Sequence, residues 1–535
     1  MAVGDTAEAS HTHLRVLVCE KLAPAGVAAL EEHFTVEDGV GWSREELLER
    51  IAPYDAIVVR SATKVNAELI EAATNLKVVG RAGTGVDNVE VPAATRRGII
   101  VCNAAGSNSL SAAEHTIALL LAQARNVAQA HAALVEGRWE RSKFGGIELD
   151  GKVLGVIGFG RIGQMVGERA KGLGMSVVAY DPYVAESRYK EMGAEHAATP
   201  EDVYRVADFV TIHLASTPET KNFVGAEAFA AMKKGARLIN VARGDLVDTD
   251  ALVAALQSGH LGGAGVDVFP EEPCTDSPLF GLPGVVVTPH LGASTAEAQD
   301  RAGVAVAEQV VAALTGGVVT SAVNIPSVGA EALEVLGPYV PLAEKMGEFI
   351  SALAGGVASP LRIGYEGEIA SVDTRMLNAA VITGVLSGHV DRPVNMVNAA
   401  SIAEERGIEW VETSSQRARD YRNVLSLEVG DIAVAGTTVG VTSRPRLVRV
   451  LGHAVEIELA PRMAVFAYRD VPGMIGRVGT ILGELGLNIA SMAVDRADGE
   501  AVMVLSIDSP VPDDAQEKIR AIEGFERVWF VNLPG

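Results

Sequence analysis

The sequence has only three cysteines among its 535 residues, and they lie far apart at Cys19, Cys102 and Cys274. It contains no CxxC pair and no cluster of histidines with the spacing of metal ligands. A disulfide framework and a structural zinc site are therefore excluded as the basis of the fold. We expect a protein of the reducing cytoplasm that holds no metal.

Positive charge is also scarce, because 45 lysines and arginines stand against 68 aspartates and glutamates, which gives a formal net charge of −23. Such a charge repels polyanions, so neither nucleic acid nor an anionic membrane is an expected partner. An anionic substrate would have to be bound by local arginines. No apolar run reaches membrane-spanning length, and the polar start MAVGDTAEASHTH lacks the features of a signal peptide and predicts a frayed tail.

Aromatic residues make up only 5% of the chain, whereas 48% of it is hydrophobic and 56 residues are glycine. This composition is typical of aliphatic α/β layers joined by tight turns, and the length predicts three or four domains. From Leu14 onward, short apolar runs such as LRVLVCE, DAIVVR and LKVVGRAG alternate with helical patterns. The alternation predicts a parallel sheet, which we assign to a first lobe over residues 12–105.

A second α/β series is predicted within residues 106–293. It opens with one long connecting helix over SLSAAEHTIALLLAQARNVAQAHAAL, and six apolar strand patterns follow from Lys152. Six parallel strands are the number in a complete dinucleotide-binding sheet. The amphipathic pattern within residues 294–325 predicts a helix that returns to complete the first lobe.

The last two segments have different patterns. Residues 326–458 mix long helices with strands and predict an α+β domain, in which no catalytic motif stands out. Residues 462–535 read strand, glycine-rich turn, helix, two strands, helix and strand. This βαββαβ order predicts a small ligand-binding module.

A glycine loop follows the first strand of the second series, in VLGVIGFGRIGQMVG. Gly158, Gly160 and Gly163 stand between a strand and a helix, where a tight turn and a helix N-terminus can receive a pyrophosphate. The next strand ends at Asp181, whose carboxylate can accept hydrogen bonds from the adenosine ribose and would repel a 2′-phosphate. These features predict NAD rather than NADP. Arg188 is the one nearby residue whose positive charge could instead favour the 2′-phosphate of NADP.

Three ionisable residues follow strands of the same predicted sheet. Arg243 closes RLINVAR, Glu272 follows VDVF, and His290 follows VVVTP, so all three meet at the edge where parallel sheets bind ligands. Oxidation of a 2-hydroxy acid needs a base for the hydroxyl proton, a cation for the carboxylate and a hydride acceptor. His290, Arg243 and NAD can supply them, and either Glu272 or Glu271 can orient the imidazole. The alternative is that each of these residues has only a structural role, as a helix cap, a solvated surface residue or a core residue.

The motifs GFGRIG, NVARGDLVD, DVFPEEP and TPHLGAST resemble those of the D-isomer-specific 2-hydroxyacid dehydrogenases. The resemblance implies a flavodoxin-like substrate lobe, a Rossmann NAD lobe, an intervening domain and a C-terminal ACT domain. It implies that Arg243 orients the substrate, that Glu272 and His290 form the acid–base dyad, and that NAD is the cofactor. The residues that the resemblance assigns to NAD are Thr84, Gly158, Gly160, Arg161, Ile162, Gly163, Asp181, Ala242, Asp267 and Gly292.

Within that family, the long C-terminal tail is similar to that of the long-form members, whose substrate is 3-phospho-D-glycerate. The resemblance then implies oxidation to 3-phosphohydroxypyruvate, the entry to serine biosynthesis. It suggests Arg60, Ser61, Arg81 and Asn108 as substrate-binding residues, because guanidinium groups suit a phosphate. Each arginine could instead be a solvated loop residue, and Lys143 is a further candidate.

The ACT-like segment FAYRDVPGMIGRVGTILGELGLNI implies L-serine as a feedback inhibitor, bound by Tyr468, Asp470 and Asn488, with Gly473 leaving room in the turn. A purely structural turn is the alternative. The basic stretch RPRLVRVLGHAVEIEL could bind an effector, but His453 does not fit the expected pattern. The resemblance also implies a homotetramer, and a paired regulatory sheet demands at least a dimer. Two other functions stay open, a dehydrogenase for another D-2-hydroxy acid and a non-catalytic NAD-sensing scaffold.

Overall fold

A computed structural model describes residues 13–326, 330–357, 360–390 and 392–533, so the predicted N-terminal tail lies almost entirely outside the described residues. The described chain forms four sheets of five, seven, six and four strands in sequence order. The first two are entirely parallel, the third is mixed and the fourth is antiparallel. The predicted fold class is confirmed, whereas the exact domain boundaries stay predictions.

The five-stranded sheet has the order β2-β1-β3-β4-β5. Its central strands are runs of small and β-branched residues buried on both faces, as parallel sheets require. The strands are β1 (Arg15–Val18), β2 (Thr35–Asp38), β3 (Ala56–Val59), β4 (Val78–Arg81) and β5 (Ile100–Asn103). The helices between them are α1 (Pro24–Glu31), α2 (Arg44–Arg50), α3 (Ala67–Ala72) and α4 (Val91–Arg96).

The second sheet has seven strands rather than the six predicted, in the order β12-β11-β10-β9-β6-β7-β8. The additional strand has two residues at the sheet edge, which is too short to show any periodicity in the sequence. The strands are β6 (Val153–Ile157), β7 (Ser176–Tyr180), β8 (Glu195–His196), β9 (Phe209–Ile212), β10 (Arg237–Asn240), β11 (Gly263–Val266) and β12 (Val285–Val287).

The connecting helix is two helices, so the prediction of one continuous helix is wrong. Asn126 has a φ of 53°, a left-handed conformation that ends one helix and starts the next. The helices of this region are α5 (Ser109–Ala124), α6 (Val127–Val135), α7 (Arg161–Gly172), α8 (Glu186–Glu191), α9 (Pro200–Val206), α10 (Ala226–Ala231) and α11 (Thr249–Gln257).

The return helix α12 (Ala296–Thr315) packs on the first sheet and on α1. A Cβ on Gly26 would lie 2.5 Å from the carbonyl oxygen of Gly303, so the two helices approach at their backbones. Farther along the same helix, Val306 and Val310 reach Gly80 of β4. This packing joins residues more than 200 positions apart in the chain and buries the outer face of the first lobe.

The third and fourth sheets share a hydrophobic core, in which Val465, Val502 and Val504 of the fourth sheet pack with Met346 and Phe349 of the helix over Val340–Ala354. The strands are β13 (Leu361–Gly367), β14 (Trp410–Ser415), β15 (Asn423–Val429), β16 (Ile432–Val439), β17 (Arg444–Val450), β18 (His453–Glu458), β19 (Arg462–Arg469), β20 (Ile489–Ala497), β21 (Glu500–Ile507) and β22 (Phe525–Asn532). The helices are α13 (Ala330–Leu336), α14 (Val340–Ala354), α15 (Arg375–Leu386), α16 (Ala399–Glu405), α17 (Met474–Glu484) and α18 (Asp513–Arg520).

Within the described ranges, no helix combines the length and the apolar character needed to cross a membrane.

Candidate active site

The glycine loop joins β6 to α7, and its glycines have no side chains that would cover the backbone. Gly158 has a φ of +91°, which a side chain rarely adopts, and a Cβ on Gly163 would lie 2.2 Å from the carbonyl oxygen of Gly158. Gly160, in contrast, faces open space at the N-terminus of α7. The loop is therefore a close-packed turn with an open helix N-terminus, which fits the pyrophosphate of a dinucleotide.

Asp181 directly follows β7, beside the glycine loop. Its carboxylate accepts hydrogen bonds from the backbone N–H of Phe159 and of Tyr183, both at 2.9 Å. Arg188, which could have favoured a 2′-phosphate, instead contacts Gln164 and forms an ion pair with Glu191. The acidic residue is thus fixed at the end of its strand and the nearby arginine is neutralised, an arrangement that fits NAD.

His290 and Glu272 are in direct contact. The imidazole Nδ1 lies 2.6 Å from Glu272 Oε2, and the other oxygen, Oε1, accepts a hydrogen bond from the backbone N–H of Phe269 at 3.0 Å. No hydrogen bond links Glu271 to His290 within the described chain, so the geometry favours Glu272 as the partner. The His290 side chain is 46% exposed, which leaves its Nε2 edge open to the space between the lobes.

The turn that carries His290 is held by a buried carboxylate. His290 has a φ of 54°, and its backbone N–H donates to the carbonyl oxygen of Asp267 at 2.8 Å. The Asp267 carboxylate accepts hydrogen bonds from Thr288 Oγ1 at 2.6 Å and from the backbone N–H groups of Leu291 and Gly292 at 2.7 and 2.8 Å. Burial alone raises the pKa of Asp267, but its hydrogen bonds outweigh that effect and hold the pKa below its ordinary value.

His115 of α5 completes this network and was missed by the sequence reasoning. Its Nε2 lies 3.2 Å from Asp267 Oδ1 and 3.1 Å from Thr288 Oγ1. A histidine within a helical pattern gives no sign of partners 152 residues away. Because the Asp267 side chain is fully buried behind the His290 turn, it positions that turn, and its contact with NAD stays a prediction.

Arg243 lies shortly after β10 and reaches across to the first lobe. Its Nη1 donates to the carbonyl oxygen of Ala242 at 2.8 Å, and its Nη2 lies 3.3 Å from Asp87 Oδ2. Thr84 is in the same loop as Asp87, and its hydroxyl donates to Asn108 Oδ1 at 2.7 Å. The guanidinium of Arg161 lies beside Gly106, and Ile162 is the next residue of the helix. These contacts place several predicted cofactor residues where the two lobes meet.

A cavity of about 350 Å³ separates the lobes beside the dyad. Its lining brings together residues from both lobes, among them Arg60, Ser61, Arg81, Asn108, Glu272 and His290. Lys143 does not line it and pairs with Glu140 on the surface, so the structure gives Lys143 no part in this cavity.

Arg81 is the clearest sign that this cavity takes an anion. Its Nε is buried and makes no hydrogen bond within the described chain. Burial lowers the pKa of Arg81, and repulsion from the nearby Arg243 guanidinium lowers it further. Asp87 offsets part of this repulsion through its ion pair with Arg243, and an anionic ligand beside Arg81 would offset more of it.

The loop that carries Arg60 is held rigid by Glu20, another residue that the sequence reasoning missed. The Glu20 carboxylate accepts backbone hydrogen bonds from Arg60, Ala62 and Thr63 at 2.8, 3.1 and 2.9 Å. Asn88 adds two bonds from its side chain to the carbonyl oxygens of Arg60 and Thr63. The backbone beneath Arg60 and Ser61 is therefore fixed in place, which aims their side chains at the cavity.

The three predicted effector residues do not meet within one chain. Tyr468 pairs with Ala501 across the fourth sheet, whereas Ile489, the neighbour of Asn488, pairs with Ile507. Six residues of β21 separate these pairs, which corresponds to about 20 Å along a strand. Asp470 lies at the Tyr468 end, where Arg496 is 3.6 Å from it, and Gly473 begins α17 with a φ of +95°.

His453 lies where the third and fourth sheets meet. Its Nδ1 is 3.3 Å from Asp495 Oδ2 of β20, and its side chain is only 10% exposed. The residue therefore contributes to packing between the two sheets.

Comparison with known proteins gives matches to three family models in succession. They are the D-isomer specific 2-hydroxyacid dehydrogenase NAD binding domain over residues 117–292, the D-3-phosphoglycerate dehydrogenase intervening domain over 335–451 and the ACT domain over 463–524. The D-3-phosphoglycerate dehydrogenase of Methanocaldococcus jannaschii is 43% identical over 524 residues, which cover 97% of this chain and 100% of that protein. The chloroplastic D-3-phosphoglycerate dehydrogenase 2 of Arabidopsis thaliana is 42% identical, and the match covers 97% of this chain and 87% of that protein.

Solved structures resemble the catalytic half. A glyoxylate reductase from Paecilomyes thermophila is 28% identical with a TM-score of 0.53, and the match covers 58% of this chain and 98% of that one. An NAD-dependent formate dehydrogenase from Staphylococcus aureus, solved with NAD, is 31% identical with a TM-score of 0.50. That match covers 56% of this chain and 96% of the dehydrogenase.

The two parallel lobes and the cavity between them define an NAD-binding 2-hydroxyacid dehydrogenase, and the matching family model confirms both the enzyme class and NAD as cofactor. With its intervening and ACT domains, the chain belongs to the D-3-phosphoglycerate dehydrogenases in their long form. The family resemblance seen in the sequence motifs is thereby confirmed.

Proposed function

We propose that the protein oxidises 3-phospho-D-glycerate to 3-phosphohydroxypyruvate with NAD, at the entry to L-serine biosynthesis. The observation that carries the proposal is the cavity in which the His290–Glu272 pair faces Arg60 and Arg81. An acid–base pair and two guanidinium groups suit a hydroxy acid that bears a second anionic group.

In this mechanism His290 Nε2 accepts the proton of the substrate C2 hydroxyl. The hydrogen bond between Nδ1 and Glu272 keeps the lone pair on Nε2 and stabilises the imidazolium that forms. Arg243 binds the substrate carboxylate and the developing carbonyl oxygen. NAD, when bound, supplies the acceptor for the hydride that leaves C2, so the carbinol becomes a ketone and the enzyme retains one proton on His290.

The phosphate is assigned to the first-lobe side of the cavity, which Arg60, Ser61 and Arg81 line together with Asn108 at the start of α5. A guanidinium group can donate two parallel hydrogen bonds to phosphate oxygens, and the Ser61 hydroxyl and the Asn108 amide can donate one each. The rigid loop beneath Arg60 reduces the entropy that is lost on binding.

The first experiment is to follow NADH absorbance with phosphohydroxypyruvate and with unphosphorylated hydroxypyruvate, each with and without L-serine. The proposal requires a strong preference for the phosphorylated acid and suppression by serine. An equal or reversed preference would remove Arg60 and Arg81 from a phosphate site and leave a dehydrogenase for another D-2-hydroxy acid.

Replacing Glu272 by glutamine is expected to lower kcat by about 10²- to 10³-fold, since a well-placed acid–base contact contributes roughly 10²- to 10⁴-fold. The amide can donate to Nδ1 and hold the imidazole in the wrong tautomer. Steady-state kinetics with phosphohydroxypyruvate measure the effect. Glu271→Gln is the matched control because it alters the adjacent carboxylate, and a larger loss in that variant would reverse the assignment of the two residues.

Serine inhibition is proposed to require two copies of the chain, because Asn488 lies about 20 Å along the sheet from Tyr468 and Asp470. In a paired sheet, Asn488 of one copy can approach Tyr468 and Asp470 of the next. The proposed homotetramer, with a dimer as the minimum, provides such pairs.

Both Asp470→Asn and Asn488→Ala are expected to abolish serine inhibition while leaving the uninhibited rate within about twofold, since they lie far from the catalytic cavity. Mixed oligomers of the two variants, purified through two different affinity tags, test the assignment to two copies. In a dimer that combines one Asp470→Asn chain with one Asn488→Ala chain, both substitutions fall in the same shared site. The other site keeps the natural Asp470 and Asn488, so partial inhibition by serine should return. If the mixed oligomers stay insensitive to serine, the site lies within a single chain.

A further inference from the structure

A second cavity, of about 570 Å³, lies where the catalytic half meets the intervening domain. One wall is the segment over residues 323–326, at the end of the part of the chain that completes the first lobe. The other walls come from α15, the residues before and at the start of α16, and β14. Most of the lining is apolar, including Ile382, Met396, Val397 and Trp410. The volume lies within the range of cavities that bind small molecules, about 300–1,000 Å³.

Asn378 places a buried polar group in this apolar lining. The residue is 6% exposed, and its Oδ1 accepts a hydrogen bond from the hydroxyl of Tyr365 at 2.5 Å. Tyr365 is itself buried, which fixes the amide orientation and leaves the Nδ2 group of Asn378 to face the cavity. Within the described residues, Nδ2 donates no hydrogen bond. The amide is therefore fixed with an unused donor turned toward the cavity, a position that suits a ligand that brings a hydrogen-bond acceptor.

Two opposite charges stand at the rim of the same cavity. Arg375 uses Nε and Nη2 to bind Asp373, and in the described structure its Nη1 has no hydrogen-bond partner. Glu412 of β14 accepts a hydrogen bond at 3.0 Å from the hydroxyl of Thr374, the residue that precedes Arg375 in the chain. A cation and an anion beside one apolar chamber are complementary to a zwitterion with an apolar substituent.

The geometry points to a binding site for an α-amino acid with an apolar side chain. Its carboxylate is bound by Arg375 and by the Nδ2 group of Asn378, and its ammonium by Glu412. Its side chain packs between Ile382 and Trp410. This site is separate from the one formed by Tyr468, Asp470 and Asn488, and it does not depend on the substrate proposed for the catalytic cavity.

The site also lies at a contact between domains. Asn395, next to Met396 of the lining, donates from its side chain to the carbonyl oxygen of Gly98 in the first lobe at 2.7 Å. Asn324, on the opposite wall, uses its side-chain Nδ2 to donate to the carbonyl oxygen of Ile99 at 2.8 Å. A ligand in the cavity therefore touches two segments that are each anchored to the chain just before β5.

The test is equilibrium dialysis of the full-length protein with radiolabelled L-leucine, L-phenylalanine and L-tryptophan. We expect saturable binding of at least one of them at one molecule per chain. Competition by 4-methylpentanoate, which lacks the ammonium group, and by isoamylamine, which lacks the carboxylate, is expected to be at least tenfold weaker than competition by L-leucine. Arg375→Gln and Asn378→Asp are each expected to weaken binding by at least tenfold.

The controls separate this site from others. Arg422→Gln removes another exposed arginine of the same domain that is paired with a glutamate, and it should bind as the parent protein does. Asp470→Asn should likewise leave the binding unchanged. No saturable binding of any of the three amino acids overturns the inference. Binding that survives unchanged in Arg375→Gln, or that is lost in Asp470→Asn, also overturns it.

Discussion

Replacing His290 by asparagine is expected to lower kcat by about 10²- to 10⁴-fold, the range that a general acid–base group contributes. Asparagine suits the site because it tolerates the left-handed conformation that His290 adopts, with a φ of 54°. Its amide cannot accept and release the C2 hydroxyl proton as an imidazole does. Single-turnover and steady-state measurements of NADH absorbance give the size of the loss.

Binding of NADH should be unchanged in this variant, because the glycine loop and Asp181 are formed by other segments. Quenching of tryptophan fluorescence or calorimetric titration measures that binding. His131→Asn, on the exposed surface of α6, is the matched control and should keep the parent rate. Turnover retained in His290→Asn would remove His290 from the acid–base role, and a protein with no turnover in its parent form would instead fit an NAD-sensing scaffold.

Replacing Arg60 by glutamine is expected to lower kcat/KM for phosphohydroxypyruvate by about 100-fold. Hydrogen bonds to charged groups contribute roughly 1.5–3 kcal/mol, and about 2.7 kcal/mol corresponds to that factor. The value for unphosphorylated hydroxypyruvate should change by about twofold at most, because that substrate does not use the phosphate site. The ratio of the two kcat/KM values therefore measures the loss of discrimination directly.

Arg44→Gln is the control for Arg60→Gln. Arg44 belongs to the same lobe and forms an ion pair with Glu68, but it does not line the catalytic cavity. Equal losses for both substrates in Arg60→Gln would indicate that Arg60 binds the carboxylate or supports the fold. In that case Arg81, with its unpartnered Nε, becomes the leading phosphate ligand.

Several parts of the site could be predicted because they depend on local sequence. The glycine loop follows a strand and opens a helix, and its spacing reflects the backbone conformation that pyrophosphate binding needs. Arg243, Glu272 and His290 each follow an apolar strand pattern, and parallel strands place their carboxyl ends at one edge. In the structure the last two are in contact and the first lies at the same junction between the lobes.

Other parts could not be read from local patterns. Glu271 and Glu272 are adjacent in a loop, and only the folded turn, with the bond from the Phe269 N–H, brings one of them to His290. His115 meets Asp267 only because α5 packs against the second sheet. Lys143 was a further, weaker candidate for the phosphate, and the structure places it outside the cavity.

The sequence alone determined the alternation of α and β elements apart from a two-residue edge strand and a break in the connecting helix, together with the dinucleotide loop and the residue types at the strand ends, because turn conformation and hydrophobic period act over a few residues. The tertiary structure decided which of these residues meet. It separated Asn488 from Tyr468 through an antiparallel register, joined His115 to the His290 turn, and enclosed Asn378 in a cavity between domains. Such contacts join positions far apart in the chain and arise only when whole elements pack.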